Sequence, residues 1–211
     1  MEVKLLNSYK DEKIAEIAAA VCVDKLDNIT SKGKEVAINS GHLSIAEHLP
    51  LTFLIKKVSR SLTHQLVRHR IASYSQLSQR YAKVNTNIKW FVVPESITKS
   101  PEGLFRYMCI MDSLADDYNW FINNGIPKED ARYILPNACY TTILVTINAR
   151  AFIEQCERRR CNRAQWEIRE LYNKMKDSIK DIYPTIYKLC TPKCNKIGCT
   201  ELRPCKNPVK D

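Results

Sequence analysis

Apolar residues recur at helical spacing through DEKIAEIAAAVCV, residues 11 to 23, behind an acidic cap, which predicts a helix there. A loop carrying Gly33 and Gly41 follows. LPLTFLIKKV (49 to 58) is dense in β-formers and predicts a strand, and SRSLTHQLVRHR (59 to 70) predicts a helix opening near a Ser cap. That order should fade at SYSQLSQRY (73 to 81), whose side chains bond their own backbone. Leu104, Met108, Met111 and Leu114, continued by Tyr118 and Phe121, mark a helix over 101 to 123 that Gly125 closes. PKEDARYILP (127 to 136) reads as a short helix opened by Pro, and CYTTILVTINA (139 to 149) as a buried strand. Residues 150 to 160 read as one helix and 164 to 189 as a long amphipathic one, with a kink or break at Pro184. Strands and helices mix without a regular βαβ rhythm. The expected fold is therefore α+β: one domain over 1 to 189, with a central, mainly antiparallel sheet flanked by helices, and a basic Cys-containing tail over 190 to 211.

With 211 residues, 45% of them hydrophobic, the chain can bury a full core. Its charge changes the picture more. From His48 to Pro94 no Asp or Glu occurs, while Lys56, Lys57, Arg60, Arg68, Arg70, Arg80, Lys83 and Lys89 do; the whole chain carries +10. Such a span suits a polyanionic partner: a nucleotide, a phosphorylated cofactor or a nucleic acid. Aromatic residues do not interleave with the basic ones, which argues against a nucleic-acid-binding protein, the main competing class. The apolar runs are too short to span a bilayer and MEVKLLNSYK lacks a signal-peptide core, so a cytoplasmic location with no membrane partner is expected. Nine cysteines in such a compartment argue against a disulfide framework; Cys22, Cys109 and Cys139 read as small core residues. Cys190, Cys194, Cys199 and Cys205 are numerous enough for zinc, but the CxxC knuckle is missing and no metal is assigned. GxGxxG, GxxxxGK[ST], HExxH and GxSxG are all absent, so side chains must hold any phosphates.

The richest stretch is RHRIASYSQLSQRY, residues 68 to 81. On a helix over 59 to 70, Gln65, Arg68 and His69 share one face and could converge on one ligand. Arg68-His69-Arg70, Ser73, Ser78 and Arg80-Tyr81 match RHRxxSxxxxSxRY, and in this the chain resembles the flavin-dependent thymidylate synthases. GHLSIAEH (41 to 48) is similar to that family's GHxSxxEH, ARYILP (131 to 136) to its ARxxLP, and NAR (148 to 150) to its NxR; Arg159 follows Arg150 by the family's nine residues.

The resemblance implies methylation of dUMP, with one carbon from methylenetetrahydrofolate and reducing equivalents from NADPH through bound FAD. No Pro-Cys-His occurs, consistent with a reaction lacking a protein Cys nucleophile. It assigns dUMP to Gln65, Leu66, Val67, Arg68, Gln76, Leu77, Ser78, Gln79, Arg80, Arg132 and Arg159. FAD goes to Ser44, Arg68, His69, Arg70, Gln76, Asn148, Ala149, Arg150 and Glu154, with Arg70 and Arg150 at its pyrophosphate. Arg159 is the candidate catalytic residue, a guanidinium beside the uracil imide that would stabilise the ionised ring. Many members carry Glu where this chain has Gln76, and Glu154 stands where others carry Asn or His, so it could instead neutralise Arg150 or Arg158. Nine residues at about 100° each place Arg150 and Arg159 on opposite helix faces, which points to sites assembled from several subunits and fits the family's homotetramer. A flavoprotein reductase of the same fold is the other alternative.

Overall fold

Two strands make the centre of the molecule, and their sequences show why. In β2 (Pro50–Ser59) Leu51, Phe53 and Ile55 alternate inward and are fully buried; β4 (Tyr140–Asn148) does the same with Ile143, Val145 and Ile147. Each such side chain contributes about 1.5 to 3 kcal/mol. They pair antiparallel, and β1 (Glu2–Ser8) and β3 (Ser73–Gln76) complete the sheet in the order β1-β2-β4-β3, antiparallel throughout. The computed structural model describes residues 1–209.

Helices α1 (Lys13–Val21), α2 (Ser31–Asn39), α3 (Arg60–Leu66), α4 (Glu95–Thr98), α5 (Pro101–Asn123), α6 (Lys128–Ala131), α7 (Ala149–Arg159), α8 (Trp166–Asp177), α9 (Pro184–Leu189) and α10 (Cys194–Ile197) surround it, with a 3-10 segment at Leu43–His48. Phe152 of α7 lies 5.8 Å from Phe53 and stacks 6.0 Å from Tyr172 of α8, so α7 and α8 close the main core. A second cluster, Trp90, Phe91, Met111 and Cys139, seats α5; a third, Ala19, Ile38 and Ile45, joins α1 and α2.

Several expectations are corrected. The loop carrying Gly33 and Gly41 is largely α2, capped by Thr30 and held by buried Lys34, whose ammonium lies 2.7 Å from Glu12 and 3.2 Å from Glu16. Edge strands β1 and β3 emerge where no strand was expected. The helix after Ser59 stops at Leu66, because the Tyr74 hydroxyl donates to the carbonyls of Leu66 and His69 at 3.0 Å and turns the chain. Arg68, His69 and Arg70 therefore lie beyond the helix rather than on a face of it. The long helix over 164 to 189 is broken into α8 and α9 across Ser178 to Tyr183, ahead of Pro184. Of the α5 stripe only Met111 and Tyr118 are buried. Cys139 is a core residue, but Cys22 and Cys109 are exposed.

Candidate active site

Both strand-to-helix junctions of the central pair are capped. Ser59 accepts from Leu62 N at 2.9 Å and starts α3, while Asn148 accepts from Ala151 N at 2.8 Å and starts α7. Because β2 and β4 are antiparallel, the two helices leave opposite ends of the sheet and their C-terminal ends meet. There Arg159 Nε donates to His69 Nε2 at 3.1 Å, and Arg159 Nη2 reaches the Gln65 carbonyl at 3.4 Å. Residues 90 positions apart thus form one cationic corner. His69 must be unprotonated to accept. Burial first, then the charges of Arg159 and Arg158, push its pKa down to about 4, so the imidazole is neutral at pH 7. Tyr74, nearby and half-buried, is pushed up to about 12 by its burial and keeps its proton.

A second group lies across β3. Gln76 Nε2 donates to Thr63 Oγ1 at 3.1 Å and Thr141 Oγ1 at 3.3 Å. The Thr63 hydroxyl already donates to the Arg60 carbonyl at 3.1 Å and so must accept here, which suits an amide, since a carboxylate could not donate to it. Beyond it the chain turns through Ser78 to Ala82. Leu77 N is occupied by the Thr142 carbonyl at 2.9 Å and Arg80 N by Ser78 Oγ at 3.3 Å. Among the described residues the Ser78 and Gln79 amides have no acceptor. Arg80 pairs with Glu129 at 2.9 Å, and Arg132 Nε donates to the Glu129 carbonyl at 3.0 Å. Two free amides and two guanidinium groups around one turn suit a phosphate.

The third group is at the start of α7. Arg150 is held between Glu47 at 2.6 Å and Glu154 at 3.2 Å. Glu154 does neutralise Arg150. Both carboxylates raise the Arg150 pKa, so it remains a fixed cation. Arg68, Arg70 and Arg158, with no hydrogen-bond or ion-pair partner among the described residues, line a cleft of about 250 Å³ with His69, Ile71, Ala151, Glu154 and Gln155. Three open guanidinium groups over a small cleft fit one end of a pyrophosphate-bearing cofactor.

Not every expected residue joins these groups. Leu66, Gln79 and Ala149 are buried, and Gln79 donates to Cys139 Sγ at 3.4 Å; any ligand contact of theirs would run through the backbone. Ser44 is exposed and lines a separate groove of about 630 Å³ between α1 and α2, away from Arg68 to Arg70. Arg150 and Arg159 do point to different neighbours. Sequence reasoning missed Glu47, Glu129, Thr63 and Thr141. Glu47 was legible as the acid of GHLSIAEH; the others gain meaning only from long-range pairing.

The family model described as thymidylate synthase complementing protein matches residues 4–185. A flavin-dependent thymidylate synthase of Geobacter sulfurreducens is 40% identical over 212 residues, covering 95% of this chain and 91% of the relative. One of Pyrococcus horikoshii is 45% identical over 171 residues, covering 78% and 70%. The solved structure of PolB from Streptomyces cacaoi, a UMP/dUMP methylase bound with 5-Br dUMP, shares the fold with a TM-score of 0.78 at 22% identity, covering 89% of this chain and 93% of that one. Sequence motifs, sheet topology and relatives agree: the chain belongs to the flavin-dependent thymidylate synthase family.

Proposed function

We propose that this protein converts dUMP to dTMP, taking one carbon from methylenetetrahydrofolate and reducing equivalents from NADPH through FAD, and releasing tetrahydrofolate. The observation that carries the reading is Arg159, held by neutral His69 at the corner where α3 and α7 converge, with its Nη1 unused among the described residues. A cation fixed in this way favours ionisation of a uracil imide beside it and raises electron density at the ring carbon to be methylated. The Ser78 to Arg80 turn and Arg132 would hold the nucleotide phosphate, with Gln65, Val67, Arg68, Gln76 and Leu77 around the rest. Arg68, Arg70 and the Arg150–Glu154 pair, with His69, Asn148 and Ser44, would hold the flavin, which supplies hydride transfer when bound.

Because Arg150 and Arg159 face different neighbours and Ser44 lies apart, complete sites would be shared between subunits of a homotetramer. The domain would span 1 to 189 and the tail 190 to 211. No helix among the described residues is long and apolar enough to cross a membrane.

An absorbance spectrum followed by NADPH oxidation with and without dUMP tests the reading. The protein should be yellow and form dTMP only when dUMP, folate and NADPH are all present. A colourless chain that does not take up FAD, or steady NADPH oxidation without dTMP, would sink it.

A further inference from the structure

The carboxyl-terminal tail lacks what ordinarily orders a segment. Among the described residues beyond Leu189 the regular structure is α10, and Ile197 and Leu202 stand 69% and 102% exposed. Past Pro192 hydrophobic burial contributes almost nothing. Yet the tail returns to one place, the turn between α7 and α8. Lys193 N donates to the Glu157 carbonyl at 3.1 Å and Lys196 pairs with Glu157 at 2.8 Å. The Arg163 guanidinium donates to the Arg203 carbonyl and the Asn162 amide to the Asn207 carbonyl.

The cavity so enclosed, about 590 Å³, is lined by Cys161 from the turn and by Cys194, Cys199 and Cys205 from the tail. Cys190, which spacing alone groups with the tail cysteines, is buried and faces Cys156 instead. Arg158, Arg159, Arg163, Lys193 and Lys206 also border the cavity. The Arg163 amide donates to Cys161 Sγ at 3.5 Å, which turns that sulfur toward the loop's own backbone amide. Left-handed backbone stands beside two of the sulfurs, with Gly198 at φ 84° and Lys206 at φ 57°. Such turns reverse the chain where a ligand must be presented.

We propose that Cys161, Cys194, Cys199 and Cys205 form a tetrahedral site for Zn²⁺ that staples the tail to the α7–α8 turn. Four thiols release four protons to solvent and four Zn–S bonds form, leaving the centre with a net charge of minus two, which the cationic rim offsets. Among the described residues no three of these groups yet stand in a metal-holding arrangement, so binding draws the tail inward until each sulfur is about 2.3 Å from the ion.

Elemental analysis of the full chain, expressed with zinc and purified without chelator, tests this independently of catalysis. Wild type and Cys22→Ser should each carry about one zinc per chain, and Cys161→Ser and Cys199→Ser less than about a tenth of that, with a wild-type far-ultraviolet spectrum. Zinc-free wild type, iron in place of zinc, metal unchanged in both variants, or alkylation and mass measurement showing these cysteines in disulfides would overturn it. If either variant does not fold, chelator-treated wild type decides. Trypsin should then cut after Lys196 or Lys206, and added zinc should restore protection; a tail equally protected without metal overturns the site.

Discussion

His69 accepts the Nε proton of Arg159, so the pair persists only while the imidazole is neutral. Its value near 4 lies below the ordinary 6.5, and between those values the unfolded chain binds more protons than the folded one. This contribution to stability is complete above about pH 6.5 and is lost as pH falls toward 4. The urea midpoint of wild type should therefore drop between pH 7 and pH 5, and that of His69→Asn should drop less. Equal slopes would show that His69 is not the titrating group. For Arg159→Ala, dTMP formation should fall by about 100-fold or more, with bound flavin unchanged, because a removed charge-stabilising donor costs about 3 to 4 kcal/mol. Steady-state turnover within threefold of wild type would remove Arg159 from the chemistry. The sequence made Arg159 readable by its spacing, but not its partner. Nor was the reason for Gln76 readable, since Thr63 and Thr141 lie 13 and 65 residues away.

At the scale of elements, the junction between β2 and α3 depends on one hydroxyl. Ser59 caps α3, its Oγ donates to buried Glu167 of α8, and its amide donates to the other carboxylate oxygen at 2.8 Å. Ser59→Ala should cost about 2 to 3 kcal/mol in urea unfolding, the sum of a lost cap and a buried carboxylate deprived of a donor. A change under about 0.5 kcal/mol would mean that Glu167 finds another donor. The elements read correctly from sequence are those with their own signals. In α5 the Pro at the start, the apolar period and Gly125 at φ 81° fix both ends. The elements missed depend on partners. β1 and β3 lie at sheet edges, where half the pattern faces solvent, and α2 is stabilised by Lys34 meeting Glu12 and Glu16 at the start of α1. The RHR segment leaves its helix where Tyr74, from the next strand, bonds the last helical carbonyl, of Leu66, and that of His69 beyond it.

For the whole molecule, the proposed homotetramer predicts sedimentation at about four times the chain mass of 24.4 kDa. A fully active monomer at assay concentration would refute shared sites. The fold class and family were legible because one motif and four further segments hold their order along the chain. The balance of charge in space was not. The acid-free span from His48 to Pro94 is met in the folded protein by carboxylates from elsewhere, Glu129 on Arg80 across 49 residues and Glu2 on Lys57.

That first pair leaves the proposed phosphate turn self-occupied: Glu129 sits on Arg80 where the nucleotide's phosphate would, as a resident competitor. A phosphate binding there would have to displace it, and a dianion can replace a monoanion on a guanidinium fork where an uncharged group cannot. The turn would thereby act as a filter for phosphorylation state, admitting nucleotides and refusing nucleosides. In titration calorimetry deoxyuridine should not bind, and Glu129→Gln should tighten dUMP by a few fold, the scale of an exposed ion pair worth about 0.5 to 1 kcal/mol.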